Sequence, residues 1–228
     1  MQAGAALISR WCLIVAGTCF LAAFPSIAQT IRETRGGPAG EFDFYVLALS
    51  WSPGFCQTTG SAHGRKQCEE GNGLGFVVHG LWPQNERGYP SFCEPSGRFV
   101  PRAVIGEAHG LFPDDNLARY QWRKHGTCTG ESPSGYFRAV QRARDRVRIP
   151  ESLARLQSDV KVMPIEVERA FAEANPGLRP EMMSVACGRR LFQEIRICLD
   201  RDLRGFHQCP QVDRDACRGG EITIPAIR

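Results

Sequence analysis

Cysteine placement constrains this chain more than anything else in it. Of ten cysteines in 228 residues, Cys12 and Cys19 fall in an apolar leader. Eight lie beyond it: Cys56, Cys68, Cys93, Cys128, Cys187, Cys198, Cys209 and Cys217. The leader has the three parts of a signal peptide. "MQAGAALISR" carries one positive charge, Arg10, "WCLIVAGTCFLAAF" is an apolar run of fourteen, and "PSIAQT" offers Ser26 and Ala28 as the small residues of a cleavage site. The run is shorter than the roughly 20 residues a membrane span needs, and no later stretch is long and apolar enough to cross a bilayer. The expectation is a signal peptide over residues 1–28, a mature chain from Gln29, and export to a periplasm or the medium with no membrane partner. In an oxidising compartment an even set of cysteines reads as a disulfide framework. Eight cysteines allow about 105 pairings, and spacing does not choose among them. A structural zinc site is the rival use of such residues, but the chain has no CxxC pair.

A mature chain of roughly 200 residues suits one domain with a real core. Losing Arg10, the only charged residue among 1–28, takes the formal charge from +4 to +3. That balance permits a polyanionic partner without pointing to one, since an electrostatic footprint for nucleic acid is stronger and more clustered.

"TIRETRGGPAGE" (30–41) reads as a loose lead-in. "FDFYVLALSW" (42–51) is apolar at nearly every position, the pattern of a central strand covered on both faces. "LGFVVHG" (74–80) is a second apolar strand, closed by glycine, and residues 83–120 are rich in Pro, Gly and Ser and read mostly as loop. "FRAVQRARDRVR" (137–148) places Phe137, Val140, Ala143 and Val147 on one helical face, with Ser134 near its start. "PIEVERAFAEANPG" (164–177) does the same with Ile165, Ala170, Phe171 and Ala174, and Pro164 suits its first turn. "EMMSVACGRRLFQEIRICLD" (181–200) reads as a hairpin, because Ile195, Ile197 and Leu199 alternate with Glu194, Arg196 and Cys198. "EITIPA" (221–226) supplies a last short strand. Strands at both ends with helices between predict an α+β fold around a mostly antiparallel sheet.

Two histidines stand in settings that favour chemistry. His79 ends an apolar strand at a Gly-Leu-Trp-Pro turn, and His125 lies in "YQWRKHGTC" beside Lys124, three residues before Cys128. Two imidazoles and a cation, without a carboxylate-rich metal cluster, suit metal-free phosphoryl transfer: one ring takes a proton, the other gives one, and the cation holds charge on phosphorus. Composition and spacing alone leave open that these are two of five histidines satisfied by local hydrogen bonds. A metal-dependent phosphodiesterase lacks its ligands here.

"FVVHGLWPQ" and "WRKHGTC" closely resemble the two active-site segments of the ribonuclease T2 family, secreted endoribonucleases. "LALSWSPGFC", "EIRICLD" and "QCP" extend the likeness over most of the mature chain, in the family's order. The resemblance implies an α+β fold, no cofactor, and a monomer that cuts single-stranded RNA through a 2′,3′-cyclic phosphate while leaving DNA uncut. It assigns His125 as the base for the 2′-hydroxyl, His79 as the acid for the leaving 5′-oxygen, and Lys124 as the stabiliser of the phosphorane. Trp82, Gln84 and Trp122 become candidates for substrate contact. The family's His-Glu before the second tryptophan is Tyr120-Gln121 here. Gln121 is left to donate a neutral amide bond worth roughly 1 kcal/mol less than a charge-assisted one, which implies a slower enzyme rather than a dead one. The alternative is a secreted binding protein that keeps the fold without the activity. The implied pairings are Cys56–Cys68, Cys93–Cys128, Cys187–Cys217 and Cys198–Cys209. "HGLFPD" (109–114) echoes "HGLWPQ" but falls where the family has no catalytic histidine, so His109 is read as idle, as are His63 and His207.

Overall fold

The structure, a computed structural model, describes residues 1, 32–60, 66–69, 71–93, 97 and 99–228. The leader expected over 1–28, apart from Met1, and His63 lie outside the described residues.

Eight strands are described: β1 Glu33–Arg35, β2 Phe44–Trp51, β3 Phe76–Gln84, β4 Tyr89–Ser91, β5 Val160–Val162, β6 Met183–Gly188, β7 Leu191–Asp200 and β8 Ile222–Ile224. Seven helices accompany them: α1 Ser52–Phe55, α2 Arg102–Glu107, α3 Asp115–Lys124, α4 Pro133–Arg146, α5 Glu151–Ala154, α6 Pro164–Ala174 and α7 Pro210–Arg214. The main sheet runs β3-β2-β7-β8-β5, with β6 also paired to β7, and all its pairings are antiparallel except β7–β8. The expected α+β class holds.

β2 is buried at every residue because both faces are covered. Tyr45, Leu47, Leu49 and Trp51 face the large core with Tyr136 and Phe137 of α4 and Phe171 of α6. Phe44 and Val46 face a smaller cluster with Cys198, Cys209 and Val212, against which Trp82 packs. The hairpin β6–β7 turns at Arg189 and Arg190, both at positive φ (51° and 65°). The four disulfides join the pairs the resemblance implied: Cys56–Cys68, Cys93–Cys128, Cys187–Cys217 and Cys198–Cys209.

Several expectations need correction. β3 does not stop at Gly80 but runs on to Gln84, because a break in register between Ala48 and Leu49 of β2 leaves His79 as an extra, unpaired residue. Such a bulge reverses the in–out alternation of a strand. Val78 and Leu81, three residues apart, therefore both enter the core. The lead-in is not all loose, for β1 pairs in parallel with β4. Residues 83–120 hold β4, α2 and the start of α3 as well as loop. The cap of α4 is Ser132, whose side chain accepts from the Gly135 amide, and Ser134 instead bonds Glu107. In α6 the buried face is Pro164, Val167, Glu168 and Phe171, while Ile165 is exposed.

Candidate active site

The bulge in β3 builds one wall of a cleft. An unbulged strand that buried Val78 would send residues 80, 82 and 84 into the core with it. With His79 as the extra residue, His79, Trp82 and Gln84 face the cleft instead. α3 builds the facing wall. Its N-cap is Asp114, the last residue of "HGLFPD", whose carboxylate accepts from the Leu117 amide at 2.8 Å. Asp115 in the first turn and Arg123 and Lys124 in the last complement the helix dipole. Gln121, Lys124 and His125, at i, i+3 and i+4, share the face that lines the cleft. The second hexad thus supports the site through its aspartate. His109 itself lies elsewhere, beside a separate groove.

The glycine that follows each of the two histidines is required by close approach. A Cβ at Gly80 would lie 2.2 Å from Gln121 Oε1 and 2.3 Å from Trp82 Nε1. Those two atoms meet over Gly80 in a 2.9 Å bond, the indole N–H donating. A Cβ at Gly126 would lie 2.3 Å from the Trp122 ring. The Cys93–Cys128 disulfide and a 2.8 Å bond from the Phe92 amide to the Lys124 carbonyl pin the end of α3 to the chain beyond β4.

Trp82 packs against both imidazoles. Its ring is stacked with His125 at 5.4 Å and meets His79 edge-on at 5.2 Å. The two histidines are placed in unlike environments. His125 is buried, and burial first, then the charge of Lys124 and the proximity of His79, holds its pKa well below the ordinary 6.5. Its Nδ1 is buried without a hydrogen-bond partner among the described residues. His79 is about 39% exposed and gives its Nδ1 to Glu194 Oε2 at 2.5 Å. The other oxygen of Glu194 accepts from Arg196 Nε at 2.8 Å. Burial pushes the Glu194 carboxyl up, but the His79 bond and the charges of His79 and Arg196 outweigh it and hold the group below its usual range. An ionised Glu194 can only accept, so Nδ1 of His79 donates and Nε2 is left to exchange a proton in the cleft.

Of the residues singled out from sequence, His79, Trp82, Gln84, Gln121, Lys124 and His125 converge on this cleft. Trp122 does not. It is 3% exposed, packs in the core on Tyr136, and donates its indole N–H to the Gly97 carbonyl at 2.7 Å. The reason is helical period: Trp122 follows Ala118, another buried residue, by one turn and so faces the core rather than the cleft. His207 is stacked on Phe44 at 4.6 Å and bridges Asp200 and Glu86 at 3.2 and 3.0 Å. The sequence reading missed Glu194, Arg196, Tyr89 and Val212. The signal for the first two was present, as charged residues alternating with Ile195 and Ile197 in a strand of a buried sheet. Among the described residues no group of three or more His, Cys, Asp or Glu side chains is placed to hold a metal ion, and no helix is long and apolar enough to cross a membrane.

Comparison with known proteins agrees with this geometry. Residues 42–209 match the model of the ribonuclease T2 family. A ribonuclease of Aeromonas hydrophila is 36% identical over 168 residues, covering 73% of this chain and 75% of its own. A probable ribonuclease of Haemophilus influenzae is 34% identical over 171 residues, covering 70% and 58%. Among solved structures, an RNase-related protein from Calystegia sepium superposes with a TM-score of 0.64 at 22% identity, covering 82% of this chain and 99% of that one. RNase NT in complex with 5′-AMP gives 0.62 at 18% identity, covering 82% and 99%. With the matched segment running from the start of β2 to Cys209 of the Cys198–Cys209 disulfide and holding every residue of the cleft lining but Val212, the chain belongs to the ribonuclease T2 family.

Proposed function

We propose that this endoribonuclease cuts single-stranded RNA without a metal, by attack of the ribose 2′-hydroxyl on the adjacent phosphorus. The observation that carries the reading is the pair of imidazoles in unlike environments, both packed against Trp82. His125, held neutral, takes the proton of the 2′-hydroxyl. The 2′-oxygen then bonds to phosphorus, the bond to the 5′-oxygen breaks, and His79 Nε2 delivers the proton that the leaving oxygen needs. Lys124 faces the charge that builds on the phosphorane, and the Gln121 amide, its carbonyl engaged by Trp82, has its N–H groups left to donate. Reversal of the two imidazole roles, with water in place of the leaving oxygen, opens the 2′,3′-cyclic phosphate to a 3′-phosphate. Gln84, Trp82 and Tyr89 border the space where a base would lie. DNA lacks the internal nucleophile and stays uncut.

Digestion of a defined oligoribonucleotide tests this directly. The expected products carry cyclic-phosphate ends, excess EDTA leaves the rate unchanged, and His125→Ala lowers kcat by roughly 10²–10⁴-fold. Loss of activity in EDTA would refute the metal-free route, and an unchanged rate in His125→Ala would refute the base. The four disulfides and the apolar leader support export of a mature chain from residue 29. N-terminal sequencing of the exported protein tests the cleavage position.

A further inference from the structure

Among the described residues that line the cleft, Arg196 is the charged group that the cleavage chemistry above leaves without a task. It stands on β7 opposite Ala48, which is itself opposite Gly80, so it faces the cleft one strand away from the bulge. It borders both cavities that adjoin His79. Its guanidinium is oriented by two contacts. Nε donates to Glu194 Oε1 at 2.8 Å, and the planar group lies 5.5 Å over the Trp82 ring. Nε is thereby engaged, while the two terminal nitrogens have no hydrogen-bond acceptor among the described residues. The side chain is 31% exposed, open enough to meet a ligand.

The charge count points the same way. Glu194 carries one negative charge and touches two groups, Arg196 and His79. When His79 holds the proton it is to donate, one carboxylate serves two cations and a net positive charge remains where the phosphate must sit. Lys124 supplies a cation from the α3 wall, and the sheet wall offers Arg196 as its counterpart. A guanidinium presents paired N–H donors that fit phosphoryl oxygens, which a single ammonium does not. The need is greater in this chain because Gln121 stands where the resemblance places a glutamate, so the α3 wall provides only a neutral amide there.

We propose that Arg196 binds a non-bridging oxygen of the scissile phosphodiester through its terminal N–H groups, and that Glu194 positions both Arg196 and His79 for that phosphate. The proposal rests on the cleft being the site of RNA cleavage. Its main competitor is that Arg196 only braces Glu194, and stereochemistry separates the two. A short oligoribonucleotide with one phosphorothioate linkage, resolved into its Rp and Sp forms, is cut by the wild type, Arg196→Ala, Arg196→Lys and Glu194→Gln. Arg196→Ala is expected to lower kcat/KM on the all-oxygen substrate by about 10²-fold. It should also shrink the sulfur penalty for one diastereomer only, toward that of a linkage no longer contacted at that oxygen. Arg196→Lys should keep an intermediate penalty, and added guanidinium ion should restore part of the activity of Arg196→Ala, which an unfolded variant would not allow. Equal losses on the oxygen, Rp and Sp substrates, without rescue, would overturn the phosphate contact and leave only the brace. Absence of cyclic-phosphate product from the wild type would overturn the cleavage reading itself.

Discussion

At the residue scale, the two histidines differ because their surroundings differ. His125 is dry and lies next in sequence to Lys124, while His79 is partly wet and bonded to a carboxylate. Burial and Lys124 both disfavour a charged His125, with burial the larger cause. With His125 as the proposed base, its protonation stops the reaction, and the acid limb of the pH–kcat/KM profile is expected to report it and to fall at a pH well below 6.5. In Lys124→Met one of the two depressing charges is gone. The acid limb then moves toward neutral pH, though not past the ordinary imidazole range while the ring stays buried. A pH–rate profile of the variant checks this, and a limb that moved further into acid would contradict the assignment. Trp122 teaches the opposite lesson. Its neighbours Gln121 and Arg123 are polar, and "WRKHGTC" gives no sign that the indole leaves the motif's working face. Only the helical period of α3 decides it, and the first six residues of that helix, 115–120, lie in the stretch that reads mostly as loop.

At the element scale, the legible parts were those with one dominant pattern. β2, α4, α6 and the β6–β7 hairpin each follow from hydrophobic periodicity, and all were placed within a few residues. The bulge was not legible because "FVVHGLWPQ" satisfies two registers until a partner strand chooses between them. β1 was missed because "ETR" has no apolar side chain, and it is held by backbone pairing to β4, by Glu33 accepting from Ser91 Oγ and by Arg35 over the Phe92 ring. The docking of α6 on β6 carries a pH dependence of its own. Glu168 is 6% exposed and accepts from the Val185 amide at 3.4 Å. Burial pushes its pKa from 4.5 to about 7, and nearby Asp213 adds to the shift, while the Val185 bond and Arg218 oppose it. The folded state therefore holds this proton more tightly than the unfolded chain. Its stabilising contribution is complete below pH 4.5 and is lost as pH rises to about 7, on the order of 1–3 kcal/mol across that window. Glu168→Gln should flatten this fall in denaturant unfolding curves taken through the window. An unchanged slope would show that the carboxyl titrates normally.

At the scale of the whole molecule, the disulfides divide the work. Cys198–Cys209 holds α7 and Val212 against the cleft face, and Cys187–Cys217 ties the end of β6 to the chain after α7. Cys93–Cys128 closes a sequence separation of 35 residues and anchors the end of α3, where Lys124 and His125 lie. Replacing both of its cysteines by serine should lower stability by about 3–4 kcal/mol from loop entropy. Activity measured well below the melting temperature should fall as well, because one catalytic wall loses its anchor. A melt and an assay at the same low temperature separate the two effects, and full activity in the cold would show that packing alone holds α3. These four pairings entered the sequence reading through the family likeness. Composition supplied only their number, since many pairings are compatible with the spacing and the paired cysteines lie 11 to 35 residues apart.

The position of Trp82 has a spectroscopic consequence. A charged imidazole in contact with an indole quenches its emission, and Trp82 touches both His79 and His125. The other described tryptophans, Trp51 and Trp122, are shut in the core and give their indole hydrogens to backbone carbonyls. Emission followed against pH in the resting protein should therefore dim as the buried His125 ring is charged, at a pH well below 6.5. His125→Asn should remove that loss of emission, reading out the charge on the buried ring with no RNA present.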